Sequence, residues 1–208
     1  MSNFEFTTNW FELNGKQVWD ALLPQLNPYK VLEIGSYEGE STCYLINYLS
    51  KKENTELYCI DNWTGAIEQK NRSINMEEVE KRFNNNVKIA MGETSNAIKF
   101  TKLKGNSDIH LSKLLLDNKI NYFDFIYVDG SHQAPDVLFD AVMAFKLLRK
   151  NGIIAFDDYL WFERSLPHGK DLNRCPKPAI DAFTSIFFNK VNIIQAPLNQ
   201  LYVTKTSD

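Results

Sequence analysis

The sequence predicts a doubly wound α/β fold, a mostly parallel sheet with an antiparallel last strand. Three observations carry that prediction. Short apolar runs alternate with helical patterns along the chain, as repeated βα units require. The first run, VLEI (31–34), ends abruptly in the glycine-bracketed loop GSYEG (35–39). The last two runs, VNIIQA (191–196) and QLYVTK (200–205), lie too close for a parallel crossover, so they should pair antiparallel.

The elements follow in order. WFELNGKQVWDALLPQL (10–26) reads as one amphipathic helix stopped near Pro24, within an N-terminal helical cap over 1–28. The strand YKVLEI (29–34) leads into a helix that Ser41 or Thr42 caps and that runs to about Ser50. ELYCID (56–61) is the second strand. Residues 62–95 read as an inserted segment and a lid, polar from Glu68 to Ser95, with one helical piece around MEEVEKRF. AIKFTKL (97–103), FDFIYVD (123–129) and GIIAFD (152–157) supply the next three strands. Pro135 and Asp136 open a helix whose apolar stripe is Val137, Ala141, Phe145 and Leu148. Asn151 and Gly152 tolerate the left-handed turn that ends it. No repeat, low-complexity tract or linker breaks the chain, which reads as a single domain over 1–208.

Composition narrows the function. With 208 residues, 44% hydrophobic and 24% charged, the chain suits one soluble globular core. A net charge of −3 offers no basic face for nucleic acid or an anionic membrane. No apolar run is long enough to span a bilayer. The opening MSNFEFTTNW lacks the basic-then-apolar order of a secretory signal. Cys43, Cys59 and Cys175 are odd in number and have no CxxC spacing, which suits reduced thiols in a cytoplasm.

The loop after the first strand asks for a ligand, because open α/β sheets bind theirs at the carboxyl ends of strands. A dinucleotide loop wants GxGxxG, so that backbone can approach a pyrophosphate. Here Tyr37 fills the second glycine position and Glu38 adds negative charge. Glu33, at the strand end, suits an ammonium group instead. S-adenosylmethionine carries one, with a sulfonium and a carboxylate that Ser41 could meet at the helix start. Asp61 can accept both ribose hydroxyls, of this ligand or of a nicotinamide dinucleotide. The plainer alternative is a tight strand-to-helix turn with no ligand.

Asp129 ends FDFIYVD, and Asp157 with Asp158 ends GIIAFD. Neighbouring parallel strands would bring the three carboxylates together, where oxygen-only ligands select a hard cation such as Mg²⁺. Otherwise Asp158 caps a turn and Asp157 bonds backbone. His132 lies three residues after Asp129, and imidazole suits a base at neutral pH. Orienting its loop is its other reading. His110 falls in a helical pattern at the surface, and His168 has no comparable context. Trp63 either covers an adenine face or packs under the inserted segment. Trp10, Trp19 and Trp161 line an acceptor pocket or serve the core.

ExGxYxGxS (33–41), the acidic end of ELYCID, KGNSD (104–108) and VDGSH followed by AFDDY resemble class I S-adenosylmethionine-dependent methyltransferases, which have a Rossmann-like fold. The resemblance is nearest to metal-dependent O-methyltransferases of the catechol and sugar-tailoring type, in methyltransferase family 24, and runs from Trp10 to Thr204. It implies that Glu33, Gly35, Tyr37 and Ser41 hold the methionine part, Asp61 the ribose, and Ser107 the adenine. Ser36, Gly39, Asn62, Trp63 and Asp129 complete the expected cofactor set. It implies the same metal trio, Asp129, Asp157 and Asp158. Catechol-type relatives place a lysine base three residues after the first metal aspartate, and sugar-tailoring relatives an aspartate two after it. This chain has His132 and Ser131 there, a departure from both. The expected reaction moves a methyl group from S-adenosylmethionine to a small-molecule acceptor, a sugar or phenolic hydroxyl, with Mg²⁺ assisting, in a cytoplasmic homodimer. Methylation of nucleic-acid nitrogen is excluded, since VDGSH stands where an Asn/Asp-Pro-Pro-aromatic loop belongs. A nicotinamide oxidoreductase and a non-catalytic S-adenosylmethionine-binding protein are the competing readings.

Overall fold

The computed structural model describes residues 4–66, 73–163 and 171–208. Its strands are β1 (Lys30–Ile34), β2 (Thr55–Asp61), β3 (Ile98–Lys104), β4 (Phe123–Val128), β5 (Leu148–Phe156), β6 (Val191–Ile194) and β7 (Leu201–Lys205). They form one sheet in the order β3-β2-β1-β4-β5-β7-β6. The first five are parallel, and β7 runs antiparallel to both β5 and β6. The expected doubly wound sheet with its antiparallel last strand is present. β1 lies between β2 and β4, so the order reverses there and opens a crevice.

Helices cover both faces, because a parallel sheet must bury both. Helices α1 (Trp10–Asn14), α2 (Lys16–Leu26), α3 (Glu40–Leu49) and α4 (Met76–Gly92) pack with Val31, Leu57 and Phe125 on one face. Helices α5 (Ser107–Leu116), α6 (Ala134–Leu147) and α7 (Pro176–Ile186) pack with Leu32, Ile126 and Ile154 on the other. Side chains alternate along each strand, so neighbours such as Val31 and Leu32 serve opposite cores.

Four expectations change in detail. The N-terminal helix is two helices broken at Gly15, where an added Cβ would come 2.8 Å from Gln200. Pro24 does not stop α2, which runs on to Leu26 before Asn27 turns left-handed at φ 48°. A proline in the last turn removes only one helical hydrogen bond, a small loss there. Residues 76–92 are no insertion. They form α4, the crossover helix between parallel neighbours β2 and β3, burying Val79, Phe83, Val87 and Ala90. Polar composition hid this, since only one face of α4 is apolar. Finally, α6 ends at Leu147 rather than at Asn151. Leu148 already pairs with Phe123, and Asn151, at φ 63°, lies in a register irregularity of β5. The apolar stripe thus continued past the helix because Leu148 faces the same core from a strand.

Cys43, Cys59 and Cys175 are buried and form no disulfide. Among the described residues no helix is long and apolar enough to cross a membrane. His168 and part of the 62–95 segment lie outside the described residues.

Candidate active site

The register builds the site. Ile34 pairs with Ile60 and Val128, and Val128 with Phe156, so the strand ends are level. The next amides extend that ladder: Gly35 N donates to Ile60 O, Asp129 N to Ile34 O, and Asp157 N to Val128 O. Gly35, Asp61, Asp129 and Asp157 therefore stand along one edge. They line a cavity of about 1010 Å³ shared with Tyr37, Ser41, Asn62, Ser107, His132 and Trp161. The cavity is large enough for a nucleoside-sized ligand together with an acceptor.

Gly35 turns at φ 87°, and a Cβ there would lie 2.0 Å from Asp129 O. No side chain fits, because β1 and β4 approach too closely at the switch point. Gly39 turns at φ 84° and serves as N-cap of α3. Ser41 and Thr42 do not cap the helix. Their hydroxyls, with that of Ser36, donate to the Glu33 carboxylate, at 2.6 Å from Ser36 and 2.6 Å from Ser41. Glu33 is fully buried and does not line the cavity, so the expected contact with an ammonium group is corrected. It shares its face of β1 with Val31 and looks at α3, as alternation demands. Burial raises the carboxyl above its ordinary range, and the three hydroxyls pull it back. Glu33 pins the loop to the helix from beneath.

Asp61 holds the loop from the side. Its Oδ2 accepts Ser36 N and Tyr37 N, each at 2.9 Å, and its Oδ1 accepts Trp63 N at 2.7 Å. Each carboxylate oxygen has two lone pairs, so Oδ1 retains one for a ligand hydroxyl. Trp63 is 5% exposed, absent from the cavity wall, and packed on Phe83 at 4.8 Å. Its Nε1 donates to Tyr37 O at 2.9 Å. The expected adenine contact by Trp63 is corrected to packing on α4. Asn62 lines the cavity and donates to Asn106 Oδ1 at 2.9 Å. Ser107 opens α5 on the cavity wall.

The acidic trio assembles as expected. Ligand oxygens of Asp129, Asp157 and Asp158 lie within 4.8 Å of one another. Burial, then repulsion from Asp157 and Asp158, holds the Asp129 carboxyl well above the usual range. Asp157 is pushed up to about 6, chiefly by burial and then by Asp158. Such a cluster favours either a proton or a cation, and its all-oxygen donors fit a hard dication.

The sequence reading missed the residues that hold this trio. Gln200 is 2% exposed, and its Nε2 donates to Asp157 Oδ1 at 2.7 Å. Tyr127 donates to Asp129 Oδ2 at 3.1 Å, and Tyr202 donates to Gln200 Oε1. Antiparallel pairing of Phe156 with Leu201 puts Gln200 opposite Asp157, a signal available once that register is known. Glu38 anchors the N-terminal segment, accepting from Thr7 N at 2.6 Å and Arg82 Nε at 2.7 Å.

His132 faces the trio. Its Nε2 lies 2.7 Å from Asp158 Oδ2, and its ring lies 3.9 Å from that of Trp161. Trp161 and Trp10 line the cavity, whereas Trp19 is fully buried in the core. His110 is partly exposed on α5, near Lys104 O.

Comparisons with known proteins bear on the family and the fold. The family model for methyltransferase family 24, described as a methyltransferase domain, matches residues 32–159. A curated Dictyostelium discoideum protein named "Probable caffeoyl-CoA O-methyltransferase 3" is 25% identical over 169 residues, 79% of this chain. The chain spans 59% of that relative's length. An O-methyltransferase from Bacillus cereus, solved in complex with SAH, superposes with a TM-score of 0.57 at 17% identity, covering 98% of this chain and 84% of that one. A SAH-bound methyltransferase from Podospora anserina gives 0.53 at 18% identity, over 89% and 75%. At these identities the solved structures speak for the fold.

Proposed function

This chain belongs to the methyltransferase-domain family, and from that premise we propose that it transfers a methyl group from S-adenosylmethionine to a hydroxyl oxygen of a small-molecule acceptor. The observation that carries this reading is the shared cavity: the glycine loop with Asp61 at one side and the acidic trio with His132 at the other. The acceptor oxygen takes the methyl carbon as its bond to sulfur breaks, and the hydroxyl proton leaves to a base.

The chain's residues divide that work. Asp61 accepts a ribose hydroxyl through Oδ1, and the Ser36–Tyr37 backbone that it holds lies beside the methionine part. Ser41, Asn62 and Ser107 line the same wall. Asp129, Asp157 and Asp158 would hold a divalent cation, Mg²⁺ by donor chemistry, which supplies positive charge that favours an ionised hydroxyl. Gln200 and Tyr127 orient those carboxylates by hydrogen bonds. His132 is the base for the acceptor proton: with Nε2–H donated to the ionised Asp158 carboxylate, the lone pair that can take a proton is on Nδ1, and Asp158 stabilises the imidazolium. Trp10 and Trp161 supply apolar walls suited to the ring of a sugar or phenol.

The test is transfer of labelled methyl from S-adenosylmethionine to a panel of sugar, phenol and amine acceptors, with and without chelator. Labelled ether products that vanish in EDTA and return with Mg²⁺ are expected. Failure of every hydroxyl acceptor, alongside labelling of amine acceptors, would overturn the choice of oxygen.

A further inference from the structure

Asp140 is a buried carboxyl that nothing in the reaction uses. It sits in the second turn of α6, is 1% exposed, and lines the cavity on the side of Ser107 and Gly130. A Cβ built at Gly130 would lie 3.7 Å from Asp140 Oδ2, so the carboxyl reaches the loop after β4. Its Oδ1 is shielded from water and finds no hydrogen-bond partner among the described residues. An acceptor in that condition is costly to keep unless something donates to it.

We propose that Asp140 reads the adenine of S-adenosylmethionine by accepting a hydrogen bond from its six-amino group, and so decides which base the cavity admits. The inference rests on the cofactor reading above and deepens it. If Asp61 takes the ribose and Ser107 stands by the base, the base extends toward the wall that Asp140, Pro135 and Phe139 share. Adenine's outer edge presents an N–H donor beside a ring-nitrogen acceptor. A carboxyl oxygen matches the first, and a protonated carboxyl matches both at once. Burial pushes Asp140 up to about 7, with Asp136 and Asp108 adding repulsion and Ser107 pulling back, so the protonated form is accessible at neutral pH. Phe139 and Pro135 offer the apolar flank that a flat ring needs.

Calorimetry of S-adenosylhomocysteine against its 6-deamino analogue, which lacks both amino hydrogens, tests this without requiring turnover. Wild type should bind the analogue ~10–100-fold more weakly, the range for a hydrogen bond to a charged or buried acceptor. Asp140→Ala should shrink that discrimination to less than about threefold, whereas Asp140→Asn, which keeps an acceptor oxygen, should largely retain it. A purely structural role would weaken both ligands equally in the variants and leave the ratio intact. That outcome, or equal binding of both ligands by wild type, overturns the proposal, and the wild-type comparison needs no variant that folds. If wild type binds neither ligand, the cofactor reading itself fails, and the inference falls with it.

Discussion

A dication should stabilise the folded chain and displace protons as it binds. At the 4.8 Å limit separating the trio's oxygens, two carboxylates repel by about 3.5 kcal/mol at an effective dielectric of 20. Full ionisation of all three would therefore cost on the order of 10 kcal/mol, which is why Asp129 and Asp157 favour their protonated forms. Asp129 lies well above the ordinary carboxylate range and Asp157 near 6. The sign follows from those raised values. Native Asp129 and Asp157 retain protons that the unfolded chain has lost, so without metal their contribution to stability falls as pH rises from about 3.8 through about 6 for Asp157, and beyond the ordinary range for Asp129. A cation competes with those protons, so its affinity should rise over the same range. At a hundred times its dissociation constant, Mg²⁺ or Mn²⁺ should add about 2.7 kcal/mol. For a chain of this size that corresponds to a melting shift of roughly 5–10 °C. The assay is thermal unfolding against metal concentration at pH 6 and 8, paired with calorimetry in two buffers of different ionisation enthalpy. Asp157→Asn should abolish most of the shift. No shift with millimolar Mg²⁺ or Mn²⁺, or binding without proton release, would refute the reasoning and leave the trio a proton-sharing cluster.

Three further outcomes are expected. His132→Ala should lower turnover ~10²–10⁴-fold while S-adenosylhomocysteine affinity, measured by calorimetry, stays nearly constant; a loss under tenfold would send the proton elsewhere. Asp61→Ala should weaken S-adenosylhomocysteine binding by ~1–3 kcal/mol, partly by releasing the Ser36 and Tyr37 amides, and unchanged affinity would remove Asp61 from the cofactor site. Asp140 has its native carboxyl raised from 3.8 to about 7, so its burial weakens the fold as pH rises between those values. Between pH 5 and pH 8 Asp140→Asn should accordingly gain on wild type by about 2–3 kcal/mol in urea unfolding, and a pH-independent gap would contradict this.

Much of the architecture is legible in the amino-acid sequence. Apolar runs of strand length, alternating with helical stripes, determined the parallel sheet, because a strand buried on both faces must be apolar throughout. The three-residue gap before QLYVTK determined the antiparallel strand, because no crossover fits in it. Gly35, Asp61, Asp129 and Asp157 were found as candidates because strand ends are readable and open sheets bind ligands there. What the sequence could not decide was direction. Glu33 and Asp61 both end strands beside the loop, yet one is buried against α3 and the other lines the cavity. Trp63 lies only two residues past Asp61, but a left-handed backbone at φ 48° turns its ring under α4. Gln200 lies far from the motifs along the chain, and Asp140, between VDGSH and AFDDY, is hidden in the middle of a helix. Only the β5–β7 register brings Gln200 to Asp157, and only the packing of α6 brings Asp140 to the cavity. Local periodicity fixes which residues share a face, but contacts between distant segments depend on how the layers close over one another.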